Sequence, residues 1–166
     1  MTESRFIMGP HEHAHLAGEM PRSHDIQTVL MALFLATWAV DSFLLRLTTF
    51  LSAVLPIWYS AIPALVVFAL SIYFMRGSHR VLFDTRVEGL VTHGVFGRVR
   101  HPMYLGTVLV YLAMAIATLS LASLVLWFVI LACYNRLANY EEMKLEERFG
   151  QAFLEYRKTV RKWLPF

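Results

Sequence analysis

Of 166 residues only one is a cysteine, Cys133, so no disulfide can form within the chain; set inside an apolar run, its thiol reads as buried and inert. Charge is scarce as well, with Asp, Glu, Lys and Arg at 16% against 57% hydrophobic residues. The first 25 residues hold Glu3, Arg5, Glu12, Glu19, Arg22 and Asp25 but no apolar core and no small-residue cleavage site, which excludes a signal-peptide pattern and predicts a polar tail. There is no internal repeat, no low-complexity tract and no second soluble domain, so one domain is expected. No basic domain or aromatic-interleaved stripe accompanies the net charge of +3. The basic residues sit beside apolar blocks, which favours anionic lipid headgroups over nucleic acid as the counter-charge.

What the chain has in quantity is long apolar runs, giving a mean hydropathy of +0.52. They predict an all-α integral membrane bundle of about four transmembrane helices over residues 27–47, 56–75, 103–118 and 121–138, followed by a cytoplasmic helix over 140–160. From Tyr104 to Asn135 no residue is charged; carried on to Ala138 as one helix, this stretch would be roughly 50 Å long against a hydrocarbon core of about 30 Å. A hairpin bending near Thr118, Ser120 and Ser123 fits better. Arg76, Arg80, Arg86, Arg98 and Arg100 fill the middle loop, and Lys144, Arg148, Arg157, Lys158, Arg161 and Lys162 the C-terminal segment. Both are therefore expected on the cytoplasmic side, together with both termini and the site.

The polar insert from Gly89 to Gly106 is where chemistry is expected, because cations, imidazoles and flexible backbone at a membrane border are costly unless they bind something polar. In Arg100-His101-Pro102-Met103-Tyr104, proline can start a helix and keeps the residue before it extended, which holds His101 at the mouth of the third span. Gly89, Gly94 and Gly97 allow close backbone approach and could cradle a ribose or carboxylate. Glu141 and Glu142 follow the fourth span, where a carboxylate could hold a ligand's ammonium or position a nucleophile. Neighbouring helical positions point about 100° apart, so one glutamate, Glu141, is expected to face the site and the other solvent or a second ligand. Asp41 is an ionisable group at membrane depth that either faces the bundle interior or pairs with Arg46. His11, Glu12, His13 and His15 lack a second ligand cluster, and no metal site is expected.

The glycine loop, Arg-His-Pro-x-Tyr-x-Gly, the apolar hairpin, Glu141-Glu142, Phe149-Gly150 and Glu155-Tyr156 occur in an order that resembles the isoprenylcysteine carboxyl methyltransferase family and its phospholipid methyltransferase relatives. The resemblance covers Glu88 to Phe166, about half the chain. It implies an integral membrane enzyme that takes S-adenosylmethionine between the polar loop and the segment after the last hairpin. Matched residue by residue, the implied cofactor contacts are Leu90, Val91, Phe96, His101, Pro102, Met103, Tyr104 and Glu141, with Glu88 and Gly89 at contact positions of different residue type. Gly94 and Arg100, from the loop itself, complete the expected set. The family's substrate-handling arginine, one helical turn before the inward glutamate, is here Leu137; the neighbouring Arg136 joins Glu141 and Glu142 as a catalytic candidate.

The implied reaction is methyl transfer to a lipidic or isoprenoid-like carboxylate, thiol or amine, with the protein mainly aligning the partners in a dry pocket. A lipophilic acceptor would arrive sideways between helices. The same terminal architecture also resembles NADPH-dependent membrane sterol reductases, with Arg98 and Arg100 as partial phosphate ligands, and a non-catalytic membrane module is a third reading.

Overall fold

The computed structural model describes residues 20–84 and 89–164, and among these the only extended pairing is an isolated bridge between Val99 and Arg161. The fold is all-α. Helix α1, Ser23–Ala39, continues through a π-helical turn, Val40–Leu45, as one 23-residue apolar unit that ends where Arg46 turns left-handed at φ 52°. A single turn, α2 (Leu51–Val54), leads to α3 (Trp58–His79), itself prolonged by a π-helical turn, Arg80–Asp84. After a 3-10 turn at Gly94–Gly97 come α4 (Pro102–Thr118), α5 (Leu121–Phe149) and α6 (Gln151–Thr159).

Three of these units, Ser23–Leu45, Trp58–Leu82 and Leu121–Phe149, are long and apolar enough to cross a membrane. Helix α4, at 17 residues, is apolar but only about 25 Å long, shorter than a hydrocarbon core of about 30 Å. Helix α3 starts two residues past Pro56, yet Tyr59 N donates to Pro56 O at 3.0 Å, and so proline opens the turn that becomes this helix. The helix also outruns residue 75, because Arg76 and His79 are well placed beside its C-terminal carbonyls.

The bend between α4 and α5 sits at Leu119, left-handed at φ 54°, and Ser120, whose hydroxyl accepts from Ser123 N to cap α5. Asp41, rather than pairing with Arg46, clamps this bend: its carboxylate accepts from Thr48 N at 3.0 Å and from the Ser120 hydroxyl. The boundary expected near residue 140 between the fourth span and a C-terminal helix does not exist. Asn139 to Phe149 contain no glycine or proline and continue α5 unbroken until Gly150, at φ 51°, stops it. At 29 residues α5 is about 43 Å long, so the part beyond Ala138 projects out of a 30 Å hydrocarbon layer.

Helices α3 and α4 pack closely because Gly106 leaves room; a Cβ there would lie 2.5 Å from Met75 Cγ and 3.2 Å from Ser71 O. The main core joins α1, α4 and α5 through Phe34, Tyr104, Val108, Tyr111, Ile130, Tyr134 and Leu137. Helix α6 folds back so that Phe153, Tyr156 and Val160 bury against Leu145 and Phe149. That return brings the C-terminal residues over the mouth of α4.

Candidate active site

The site is assembled from the N-terminus of α4 and the projecting end of α5. Pro102 occupies the first position of α4 and keeps His101 out of the helical region, at φ −122° and ψ 62°, while the His101 carbonyl accepts the first helical bond, from Leu105 N. The imidazole is thereby fixed at the helix mouth. Helix α5 passes alongside and offers two successive carboxylates about 100° apart. His101 lies in the wedge between them, with Nδ1 3.3 Å from Glu141 Oε2 and Nε2 3.1 Å from Glu142 Oε1.

The expected division into an inward Glu141 and an outward Glu142 is replaced by this shared grip. Glu142 is in fact the deeper, at 5% exposure, whereas the Glu141 side chain is 19% exposed. The reason is the wedge: an imidazole has two nitrogens on opposite sides and can engage both carboxylates at once. Tyr104, one turn into α4, donates its hydroxyl to Glu141.

Arg100 completes the polar core. Its Nε and Nη2 both lie 3.0 Å from Glu142 Oε1, and Nη1 donates to the carbonyls of Arg157 and Val160. Lys162 Nζ approaches Glu142 Oε2 at 3.6 Å and donates to Asn139. Burial pushes the Glu142 carboxyl up, but the hydrogen bonds from His101 and Arg100 outweigh it and hold the group well below its usual range. For His101 burial acts downward, and the hydrogen bonds and charges of Glu141 and Glu142 reverse it, leaving the imidazole above its ordinary value. A carboxylate oxygen stands at each ring nitrogen, a geometry suited to donation from both.

Arg100, His101, Tyr104, Glu141 and Glu142 are thus brought together, with Pro102 buried and Met103 half-buried beside them. The remaining candidates lie elsewhere. Leu90 packs against Phe153, Tyr156 and Val160, and Val91 is half-buried in the same loop. Phe96 packs with Phe74, Val95 and Val99 and receives the Tyr156 hydroxyl on its carbonyl at 2.6 Å. Gly94 is exposed with φ 64°, and Gly89 at φ 103° has open space around it. Arg136 is exposed and has no ion-pair partner among the described residues. Glu88, Arg86 and the tail residues His11, Glu12, His13 and His15 fall outside the described residues.

A groove of about 500 Å³ reaches the cluster from the side of α5 and α6, lined by Asn139, Glu142, Met143, Glu146, Glu147 and Arg157. None of the expected loop contacts from Leu90 to Phe96 lines it. Four participants carried no motif: Asn135, Asn139, Lys162 and Trp163, whose indole N–H donates to Asn135 Oδ1 at 3.1 Å. Their sequence traces are the i, i+4 spacing of Asn135 and Asn139 on one face of α5 and the place of Lys162 in the basic C-terminal segment.

The profile of the phospholipid methyltransferase family matches residues 55–152. Protein-S-isoprenylcysteine O-methyltransferase A of Arabidopsis thaliana is 34% identical over 80 residues, covering 48% of this chain and 41% of that protein. A probable protein-S-isoprenylcysteine O-methyltransferase of Oryza sativa subsp. indica is 35% identical over 83 residues, 46% of this chain and 41% of its own length. The chain thus spans about two fifths of the length of these curated relatives. No solved structure matches it.

Proposed function

The chain belongs to the phospholipid methyltransferase family, and from that premise we propose that it transfers a methyl group from S-adenosylmethionine to a lipidic acceptor at the cytoplasmic border of the membrane. The observation that carries this reading is the convergence of His101, Glu141 and Glu142, 40 residues apart in sequence, around one buried imidazole. The donor set fits such a cofactor. Glu141 keeps an accessible carboxylate for an ammonium or ribose hydroxyls, Tyr104 and Trp163 offer aromatic faces beside His101, and the groove at Glu142 has a volume usual for a small-molecule site.

When bound, the cofactor supplies an electrophilic methyl group on a sulfonium. The chain's own part is binding and alignment. His101 and Tyr104 fix the Glu141 carboxylate, Arg100 neutralises Glu142, and burial of His101 and Glu142 keeps water from the reacting groups. With a carboxylate or thiolate acceptor no base is needed. With an amine the proton goes to Glu141, because Glu142 is held by the Arg100 guanidinium and His101 is engaged by both carboxylates. Arg136, exposed where the apolar part of α5 ends, is suited to an anionic group of an acceptor arriving from the membrane.

The reductase reading is less well supported, since Arg98 and Arg100 do not form one phosphate cluster. Arg98 lies over the Tyr73 ring, 5.5 Å from its centroid, while Arg100 is committed to Glu142. Calorimetry of the purified protein in detergent tests both: S-adenosylhomocysteine is expected to bind and NADPH not to, and the opposite outcome would overturn the proposal. Labelled donor incubated with lipid extracts then identifies the acceptor by mass spectrometry.

A further inference from the structure

The two most enclosed groups of the cluster are covered by the last stretch of described chain. Trp163 lies against His101 with ring centroids 6.1 Å apart, on an imidazole whose other aromatic neighbour, Tyr104, stacks at 5.9 Å. Lys162 reaches Glu142 and Asn139, as described above. The residues just before them are anchored differently. Val160 is buried with Phe153 and Tyr156, its carbonyl accepts from Arg100 Nη1, and the Arg161 carbonyl accepts from Arg100 N at 3.0 Å within the bridge to Val99.

The main-chain anchorage of the strap therefore ends at Arg161, and Trp163 packs its ring against the main core. Beyond Arg161, the polar attachments to α5 run through side-chain tips: an ion pair at 3.6 Å from a lysine that is 18% exposed, and hydrogen bonds to two asparagine amides. The groove lining includes Glu142 but not His101, so a ligand reaching the imidazole must remove some cover. The alternatives are α4, pinned by buried Pro102, and α5, which is continuous through the site.

We propose that Lys162 and Trp163 form a displaceable latch on the methyl-transfer site, hinged after Arg161, which leaves α5 when the methyl donor binds. This rests on the methyl-transfer reading given above. Charge supports the exchange. When Lys162 leaves, Glu142 keeps Arg100 and His101 and is not stranded as an unpaired buried charge. The released lysine passes into water, where its charge is well solvated.

A latch that must open reduces the fraction of protein competent to bind, so weakening it speeds association. The test measures association of S-adenosylhomocysteine with full-length protein in lipid nanodiscs by surface plasmon resonance, for wild type, Lys162→Gln, Trp163→Phe and Lys162→Arg. Trp163→Phe keeps a ring over His101 but loses the donor to Asn135. Lys162→Gln and Trp163→Phe are expected to associate roughly two- to fivefold faster, the equivalent of one weak ion pair or hydrogen bond, with Lys162→Arg close to wild type. Far-UV circular dichroism verifies the fold, and if Lys162→Gln fails to fold, Trp163→Phe decides. Association unchanged or slowed in the folded variants overturns the latch alone, whereas absence of binding by wild type overturns the methyl-transfer reading and the latch with it.

Discussion

Exchanging Glu142 for glutamine keeps the shape of the side chain and removes its charge, leaving Arg100, Lys162 and His101 facing a neutral amide. Loss of one partner from a buried ion pair costs about 3–5 kcal/mol, and because the amide oxygen can still accept from Arg100, the lower half of that range, about 3–4 kcal/mol, is the expected destabilisation. Arg100→Met is expected to cost as much or more, since it also releases the carbonyls of Arg157 and Val160. The double variant is then much less destabilised than the sum of the two, with a coupling of about 1–3 kcal/mol. The assay is denaturant unfolding in detergent followed by circular dichroism. Additivity within about 0.5 kcal/mol would refute the claim that these two groups form one buried unit. The dependence on pH has a fixed sign. Glu142 is held below its ordinary value of 4.5, so its contribution is present above that pH and is lost as pH falls through the lowered folded value. His101 is raised above 6.5, so its contribution is complete below 6.5 and is lost as pH rises through the folded value. The cost of Glu142→Gln therefore shrinks on acidification below about pH 4.5.

Tyr104→Phe removes the hydroxyl that orients Glu141 and is expected to lower methyl-transfer kcat/KM by roughly tenfold or more, the equivalent of one hydrogen bond to a charged group, as measured with labelled donor; an unchanged value sinks that assignment. Gly106→Leu drives a side chain into Met75 and the Ser71 carbonyl, and unfolding is expected to show a loss of about 1–3 kcal/mol, with Gly106→Ala milder because Met75 can shift. Asp41→Ala strips the acceptor from Thr48 and Ser120 at the far bend, with an expected cost of about 2 kcal/mol or more in unfolding and little change in the calorimetric affinity for S-adenosylhomocysteine.

The parts of this protein legible from the sequence alone are those decided locally. Runs of apolar residues have lengths that bilayer thickness turns into helices, and a proline constrains the residue before it whatever lies around it, so the bundle and the placement of His101 follow from the amino acids in order. The candidacy of Glu141 and Glu142 is equally local, since two carboxylates just past an apolar helix stand where such a helix leaves the membrane. Tertiary structure alone decided what depends on residues 40 to 60 apart meeting: that one imidazole bridges both carboxylates, that Glu142 is the deeper, and that Leu90 and Phe96 pack against α6 and α3 rather than line the groove. It also decided that Lys162 and Trp163 belong to the site, because the turn at Gly150 and the burial of Phe153 and Tyr156 carry them back over α4. Neither residue lies in a patterned motif, and helix packing geometry rather than spacing along the chain brings them to His101 and Glu142.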